Sequence, residues 1–277
     1  MAFGDLTRIN TNLLSLQTLY EIQKSNSELS TRQLRLATGK RINSAEEDST
    51  GKAIATKLNA QIRGQAQALA NIGSAKSALG IAEGSLDTIA EILMTMKEKA
   101  IQGANDTLSS TERTAINTSL EVLATEVSSA ISAATFNDVS LFTSTAFNFQ
   151  VGPSDASGDS ISVSVGTLSR AGLGISSTSL NVSSVASATL LQGNLDTAID
   201  LIASTQGSIA DGQVQLSFKE ENLNVNMINQ TAARSRIEDA DFAKEQIEIV
   251  KLQILQQTGL ASLTQSQLNS QFVLNLL

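Results

Sequence analysis

Nine consecutive a/d positions, Ile72, Ala75, Leu79, Ala82, Leu86, Ile89, Leu93, Met96 and Ala100, carry no polar exception. A seam of this length with this spacing dictates a long helix packed along its whole length against other helices. Small residues alternate with large ones along it, so a neighbouring helix can approach closely. Extended back through Leu58 and Ile54, the helix would be on the order of 75–80 Å long at 1.5 Å per residue. One proline, Pro153, interrupts 277 residues, so other helices can also run far. Aromatics are 3% of the chain, and its bulk comes from Leu, Ile and Ala. That composition suits helices packed side by side better than a compact enzyme with a pocket.

The remaining segments are read by the same period. Leu6, Ile9, Leu13, Leu16 and Tyr20 recur three and four apart, followed by Ile22, Leu29 and Leu36. This predicts a first helix whose apolar stripe drifts around it, ended at Gly39, with 40–44 as a connector. The long helix is expected from about Asp48 to Ala104, and Asn105-Asp106 breaks it. Ser109-Ser110-Thr111-Glu112 offers N-cap candidates for a third helix with Ile116, Leu120, Leu123, Val127, Ala130 and Ala134 on one face. A gap that short makes the second and third helices antiparallel neighbours. Between about 137 and 189 the period changes to two, at 146–152 and 161–165, which predicts a β-hairpin or small sheet. The Ser/Gly/Thr-rich stretch 169–188 is expected as surface loops, a composition that also suits O-linked sugars. Helix resumes near Leu190, with Ile202, Ile209, Leu216 and Leu223 seven apart and a second row at Val214, Phe218, Val225 and Ile228. A final helix runs from about Ile237 through Phe242, Ile247, Val250, Ile254, Leu263 and Leu268 to Leu276 and Leu277. The expected fold is therefore mainly α: a long antiparallel helical bundle or coiled coil with a small β-hairpin region in the middle of the chain, and its two ends together.

Chemistry is excluded class by class. The chain has no cysteine and no histidine, which removes disulfides, thiol nucleophiles, thiolate metal sites and the imidazole base together. Neither a phosphate-binding GxxxxGK[ST] nor a dinucleotide-binding GxGxxG is present. A net charge of −8 without a Lys/Arg block speaks against nucleic acid. No apolar run approaches the ~20 residues of a membrane span, and no cleavable leader pattern opens the chain at Met1. Glu46, Glu47 and Asp48 can be read as metal ligands or as acids at the start of the long helix, and the second reading is favoured. Arg234 and Arg236 followed by Glu238, Asp239 and Asp241 read as an acid–base network between segments. Asn117-Thr118-Ser119 and Asn181-Val182-Ser183 match a glycosylation sequon that arises often by chance. No catalytic residue, cofactor or metal site is assigned. An apolar stripe is ordinarily intramolecular core, but the terminal pair has little large apolar mass for its length and reads as an assembly surface.

The stretch Arg41-Ile42-Asn43-Ser44-Ala45-Glu46-Glu47-Asp48-Ser49-Thr50-Gly51-Lys52-Ala53-Ile54-Ala55 resembles bacterial flagellin. So do Ile9-Asn10-Thr11-Asn12, the segment 233–243 with Arg234, Arg236, Glu238 and Asp239, the segment 253–259, and the closing 273–277. The resemblance covers roughly 1–150 and 190–277, with its motifs in the family's order. It implies a terminal coiled coil of 1–42 with 240–277 that lines a filament core. Its assembly seam would be Leu6, Ile9, Leu13, Leu16, Ile247, Val250, Ile254, Leu268 and Leu276. It also implies a rod-like domain over 43–239, held by the seam Ile72, Leu79, Leu86, Ile89, Leu93 and Met96, with the β-hairpin and loops at about 140–189.

The implied function is a structural subunit that polymerises with itself into the flagellar filament for swimming. The alternatives are a hook–filament junction protein of the same apparatus and a non-flagellar coiled-coil scaffold. Export unfolded through the flagellar type III apparatus is implied as well. An export chaperone on the C-terminal segment and contacts with hook-associated and cap proteins go with it. Many flagellins carry L-Q-R-V-R-E-L-A-V-Q where this chain has 93–102, and Toll-like receptor 5 binds that stretch. Here an arginine is replaced by Thr95 and a leucine by Lys99, so receptor binding is expected to be weak.

Overall fold

The computed structural model describes residues 12–143, 146–154 and 158–275. Five long helices carry it: α1 Leu13–Thr38, α2 Ser49–Gly103, α3 Ser110–Ala133, α4 Val185–Glu238 and α5 Phe242–Asn275. Between α3 and α4 lie two antiparallel strand pairs, β1 Thr135–Phe136 with β2 Val139–Ser140, and β3 Phe147–Gln150 with β4 Ser160–Val163. The chain divides into two compact units, one made of the described residues up to Ala60 and from Asn229 onward, the other Gln61–Ile228.

In the Gln61–Ile228 unit the expected seam is the core. Ile72, Leu79, Leu86, Ile89, Leu93 and Met96 are all fully buried. They meet Ile116, Leu120 and Val127 of α3 and Leu191, Leu195, Ile202, Ile209, Leu216 and Leu223 of α4. Polar pairs fix the direction of α4 against α2. Lys76 pairs with Glu220, Glu83 with Gln213, Asp87 with Gln206 and Lys97 with Asp196. One number rises as the other falls, so the two helices run antiparallel. The N-terminus of α3 is closed by a capping box: Glu112 Oε2 accepts from the Ser109 backbone N–H at 2.7 Å, and the Glu112 N–H donates to Ser109 Oγ.

The middle of the chain differs from the sequence reading in three places. A tight hairpin precedes the predicted one, turning through Asn137 and Asp138, both at positive φ. Asn and Asp tolerate that conformation, which a two-residue turn between twisted strands requires. The helix α4 starts at Val185, five residues before the predicted Leu190. The stretch 169–184 is irregular, as expected, but it is not merely surface. Leu173, Ile175, Leu180 and Val182 are buried and complete the core of this unit. The hydroxyl-rich composition conceals four apolar residues that together cap α2–α4 packing.

In the other unit α1 and α5 pair antiparallel, with Asn12 beside Ser266, Asn26 beside Gln256 and Arg32 beside Glu245. Gly39 ends α1 in the left-handed region at φ 69°, a conformation that favours glycine. The two connectors then meet: Lys40 and Asp239 form a β-bridge, the Arg41 N–H donates to Glu238 O, and the Ala240 N–H donates to Gly39 O. The last break falls at 239–241, so α5 begins at Phe242 rather than near Ile237.

Among the described residues four carboxylates sit below their ordinary pKa. Glu47 is lowered by the Asn43 N–H and by Arg35, Glu112 by Ser109, Glu121 by the Arg170 guanidinium, and Asp159 by Ser154 and Lys219. Each is a carboxylate whose charged form accepts hydrogen bonds in the folded chain. A lowered folded pKa contributes stability above the unfolded value, about 4, and that contribution is lost as pH falls through the folded value. The urea midpoint should therefore stay level between pH 6 and 8, where no histidine titrates, and drop between pH 5 and 3. In Glu121→Gln the acid drop should be shallower. An unchanged midpoint down to pH 3 would contradict this assignment.

Candidate functional site

The pairing of α1 with α5 uses a face that the sequence reading did not select. Ile22, Ile249 and Leu252 are buried there, and so are Glu245 and Ser266. Arg32 Nη1 donates to both Glu245 oxygens at 2.9 Å, and Arg35 adds a second cation at 3.8 Å. Asn12 Nδ2 donates to Ser266 Oγ at 3.1 Å. At Gly259 the helices are so close that a Cβ would lie 2.9 Å from Ile22 Cγ1. The intramolecular contact is thus narrow and partly polar.

The residues expected as the terminal seam lie elsewhere. Leu13, Leu16, Ile247, Val250, Ile254 and Leu268 are all exposed, Ile247 at 67% and Ile254 at 55%. Leu6, Ile9 and Leu276 lie outside the described residues. The residues expected as an assembly seam are thus separate from those that hold α1 to α5 within the chain. A buried row holds α1 to α5, and a second apolar row faces water, joined by Tyr20, while Leu19, Leu255 and Leu260 are exposed at other angles. The physical reason is geometric: a helix rotates 100° per residue, so neighbours such as Ile247 and Ile249 point to different faces.

The motif residues converge on the meeting of the two connectors. Arg41 Nη2 donates to Ile237 O at 2.8 Å. The Asn43 N–H donates to Glu47 Oε2 and its Nδ2 to Lys40 O. Asp48 Oδ1 accepts from the Gly51 N–H at the start of α2, and Glu47 is spent on Asn43 and Arg35. Among the described residues no group of three acidic side chains is placed to hold a metal ion. Glu238 is buried and held by Lys40 Nζ at 2.7 Å, with Lys52 Nζ at 3.9 Å. The network between segments exists, but its cations are Lys40 and Lys52, whereas Arg236 is exposed and the Arg234 Nε is buried without an acceptor among the described residues. Asp239 enters through its backbone bridge to Lys40, and Asp241 caps α5 by accepting from the Ala243 and Lys244 N–H groups.

Sequence reasoning missed one buried cation altogether. Arg113, in the first turn of α3, is buried and donates to Gly103 O, Asn105 O and Val182 O. A cation in a first helical turn opposes the helix dipole, and that wrong sign was the available signal.

Two family models match: the bacterial flagellin N-terminal helical region over residues 9–147 and the bacterial flagellin C-terminal helical region over 192–277. The chain belongs to the bacterial flagellin family. A flagellin of Listeria innocua is 30% identical over 98% of this chain and 99% of its own length. A flagellar filament core protein of Brachyspira hyodysenteriae is 29% identical over 97% and 99%. The crystal structure of Bacillus cereus flagellin is 26% identical with a TM-score of 0.43, covering 58% of this chain and 88% of that one. This flagellin is a structural protein rather than an enzyme, an extracellular subunit of the self-polymerising flagellar filament. Among its described residues no helix is long and apolar enough to cross a membrane.

Proposed function

We propose that the exposed rows of α1 and α5 are the surface through which copies of this flagellin join the filament. The observation that supports this is the run of large apolar side chains left in water along both terminal helices, Leu13, Leu16, Ile247, Val250, Ile254 and Leu268. Removing such a row from water on subunit addition yields about 25 cal/mol per Å² of apolar surface. In this reading 1–42 with 240–277 forms the filament core and 43–239 a rod-like domain. The subunit leaves the cell unfolded through the flagellar export apparatus, with a chaperone covering the C-terminal segment. Hook-associated and cap proteins bound the polymer at its ends.

The test is seeded polymerisation of the purified chain followed by negative-stain electron microscopy. Long uniform filaments are expected. Intact protein that stays monomeric on competent seeds would overturn the reading and favour a junction subunit.

The reading extends to an innate receptor. Within 93–102, Leu93 and Met96 are buried, the Thr95 hydroxyl donates to Glu91 O, and Lys97 is paired with Asp196. With Thr95 and Lys99 in place of an arginine and a leucine, binding to Toll-like receptor 5 is weak. Thr95→Arg with Lys99→Leu should lower the half-maximal dose in a receptor reporter assay at least tenfold. A starting dose response as sensitive as that of a receptor-activating flagellin would refute this.

A further inference from the structure

We propose that Phe218 of one subunit seats in an apolar pocket beside the hairpins of a neighbouring subunit, forming a knob-and-hole contact repeated along the filament. The inference rests on the self-assembly reading above and adds a second, separate surface to it. The pocket, about 370 Å³, lies between α2 and the two strand pairs. Its walls are Ala75 and Ala78 of α2 with Phe136, Leu141, Phe147 and Phe149. The rings of Phe147 and Phe149 stack with centroids 6.2 Å apart, and both remain half-buried in the subunit.

Eight phenylalanines serve the whole chain, and three of them line this one pocket. An aromatic-poor protein that leaves three rings partly in water at one concave site has built a place for another apolar group. The matching convex group stands on α4. Phe218 is 69% exposed, in a row with Val214, Val225 and Ile228, opposite the face that buries Leu216 and Leu223.

Symmetry selects a second copy as the occupant. An open helical polymer needs heterologous contacts, in which two different patches of one chain meet. Knob and hole are such a pair, and both belong to the Gln61–Ile228 unit, so a single rigid relation between two such units can be repeated. The surroundings are compatible. The pocket rim carries the amides Asn71, Asn148 and Gln150, and Phe218 is flanked by exposed Gln215 and Asn222. No like charges face each other in that arrangement. Of the charges next to Phe218, Lys219 pairs with Asp159 and Glu220 with Lys76, and exposed Glu221 would meet only the uncharged amides of the rim.

The absence of cysteine makes the contact directly testable. A full-length chain carrying Asn148→Cys and Asn222→Cys is polymerised on seeds and treated with a short thiol-reactive crosslinker. A ladder of covalent multimers is expected from filaments, and none from monomers or from either single variant. In parallel, Phe218→Ala should raise the monomer concentration left at the growth plateau about tenfold, while the equally exposed Val122→Ala leaves it unchanged. Filaments without a ladder, or a ladder when Phe242→Cys replaces Asn222→Cys but not otherwise, would overturn the contact while leaving the filament reading intact. If the double variant does not elongate, the two single variants are copolymerised with each other, and the absence of a crosslinked dimer overturns the contact. Failure of the unsubstituted chain to elongate seeds would instead remove the assembly reading itself.

Discussion

Ile254→Asp is expected to leave the subunit folded and to stop filament growth. Ile254 is 55% exposed on α5, so a carboxylate there can turn to water in the monomer. On addition to a filament the same position would have to enter an apolar interface. An ionised carboxylate buried without a partner is destabilised by several kcal/mol. With 1.4 kcal/mol for each factor of ten, the plateau monomer concentration should rise more than 100-fold. Circular-dichroism melting should coincide with that of the unsubstituted chain, while pelleting after seeding should recover almost no polymer. Leu252→Asp separates the two rows, because Leu252 is buried against α1 and its substitution should lower the melting transition of the terminal pair itself. Normal growth of the Ile254→Asp chain would show that the exposed row is not an assembly surface.

The contrast between those two positions shows where the sequence could be read and where it could not. The core seam of α2 was legible because its apolar positions recur without exception, and only one face of a helix can hold them. The N-cap of α3 within 109–112 and the pair β3/β4 were legible because each is set by residues within a few positions of one another. On α5 the case is different. Ile247, Ile249, Val250, Leu252 and Ile254 are all apolar, so two faces qualify and composition does not choose between them. The choice is made by partners distant in sequence: Ile22 against Gly259 and Arg32 against Glu245. The burial of Leu173, Ile175, Leu180 and Val182 was hidden for a similar reason. No period marks four apolar residues in an irregular stretch, and their place depends on the space left between α2, α3 and α4.

Arg113→Ala should destabilise the Gln61–Ile228 unit by about 3 kcal/mol, which for a unit of this size is a fall of roughly 6–12 °C in its melting temperature. The guanidinium reaches Gly103 O and Asn105 O, where α2 has ended and its last carbonyls lack helical partners, and it reaches Val182 O in the irregular stretch that caps the core. One side chain therefore satisfies acceptors from two segments that no backbone ladder joins. The negative end of the α2 dipole favours a cation at this place, which offsets the unfavourable position of Arg113 in the first turn of α3. Alanine removes the donors from the buried Gly103 and Val182 carbonyls, each costly to leave unsatisfied where water is excluded, whereas exposed Asn105 keeps the Leu108 N–H. Arg113→Lys should recover part of the loss. Its ammonium keeps the charge but lacks the planar fork that reaches several carbonyls at once. Urea unfolding of the three proteins side by side measures this order directly. A loss under about 1 kcal/mol for the alanine variant would mean that water replaces the guanidinium and that Arg113 is not what ties the 169–184 stretch to the end of α2.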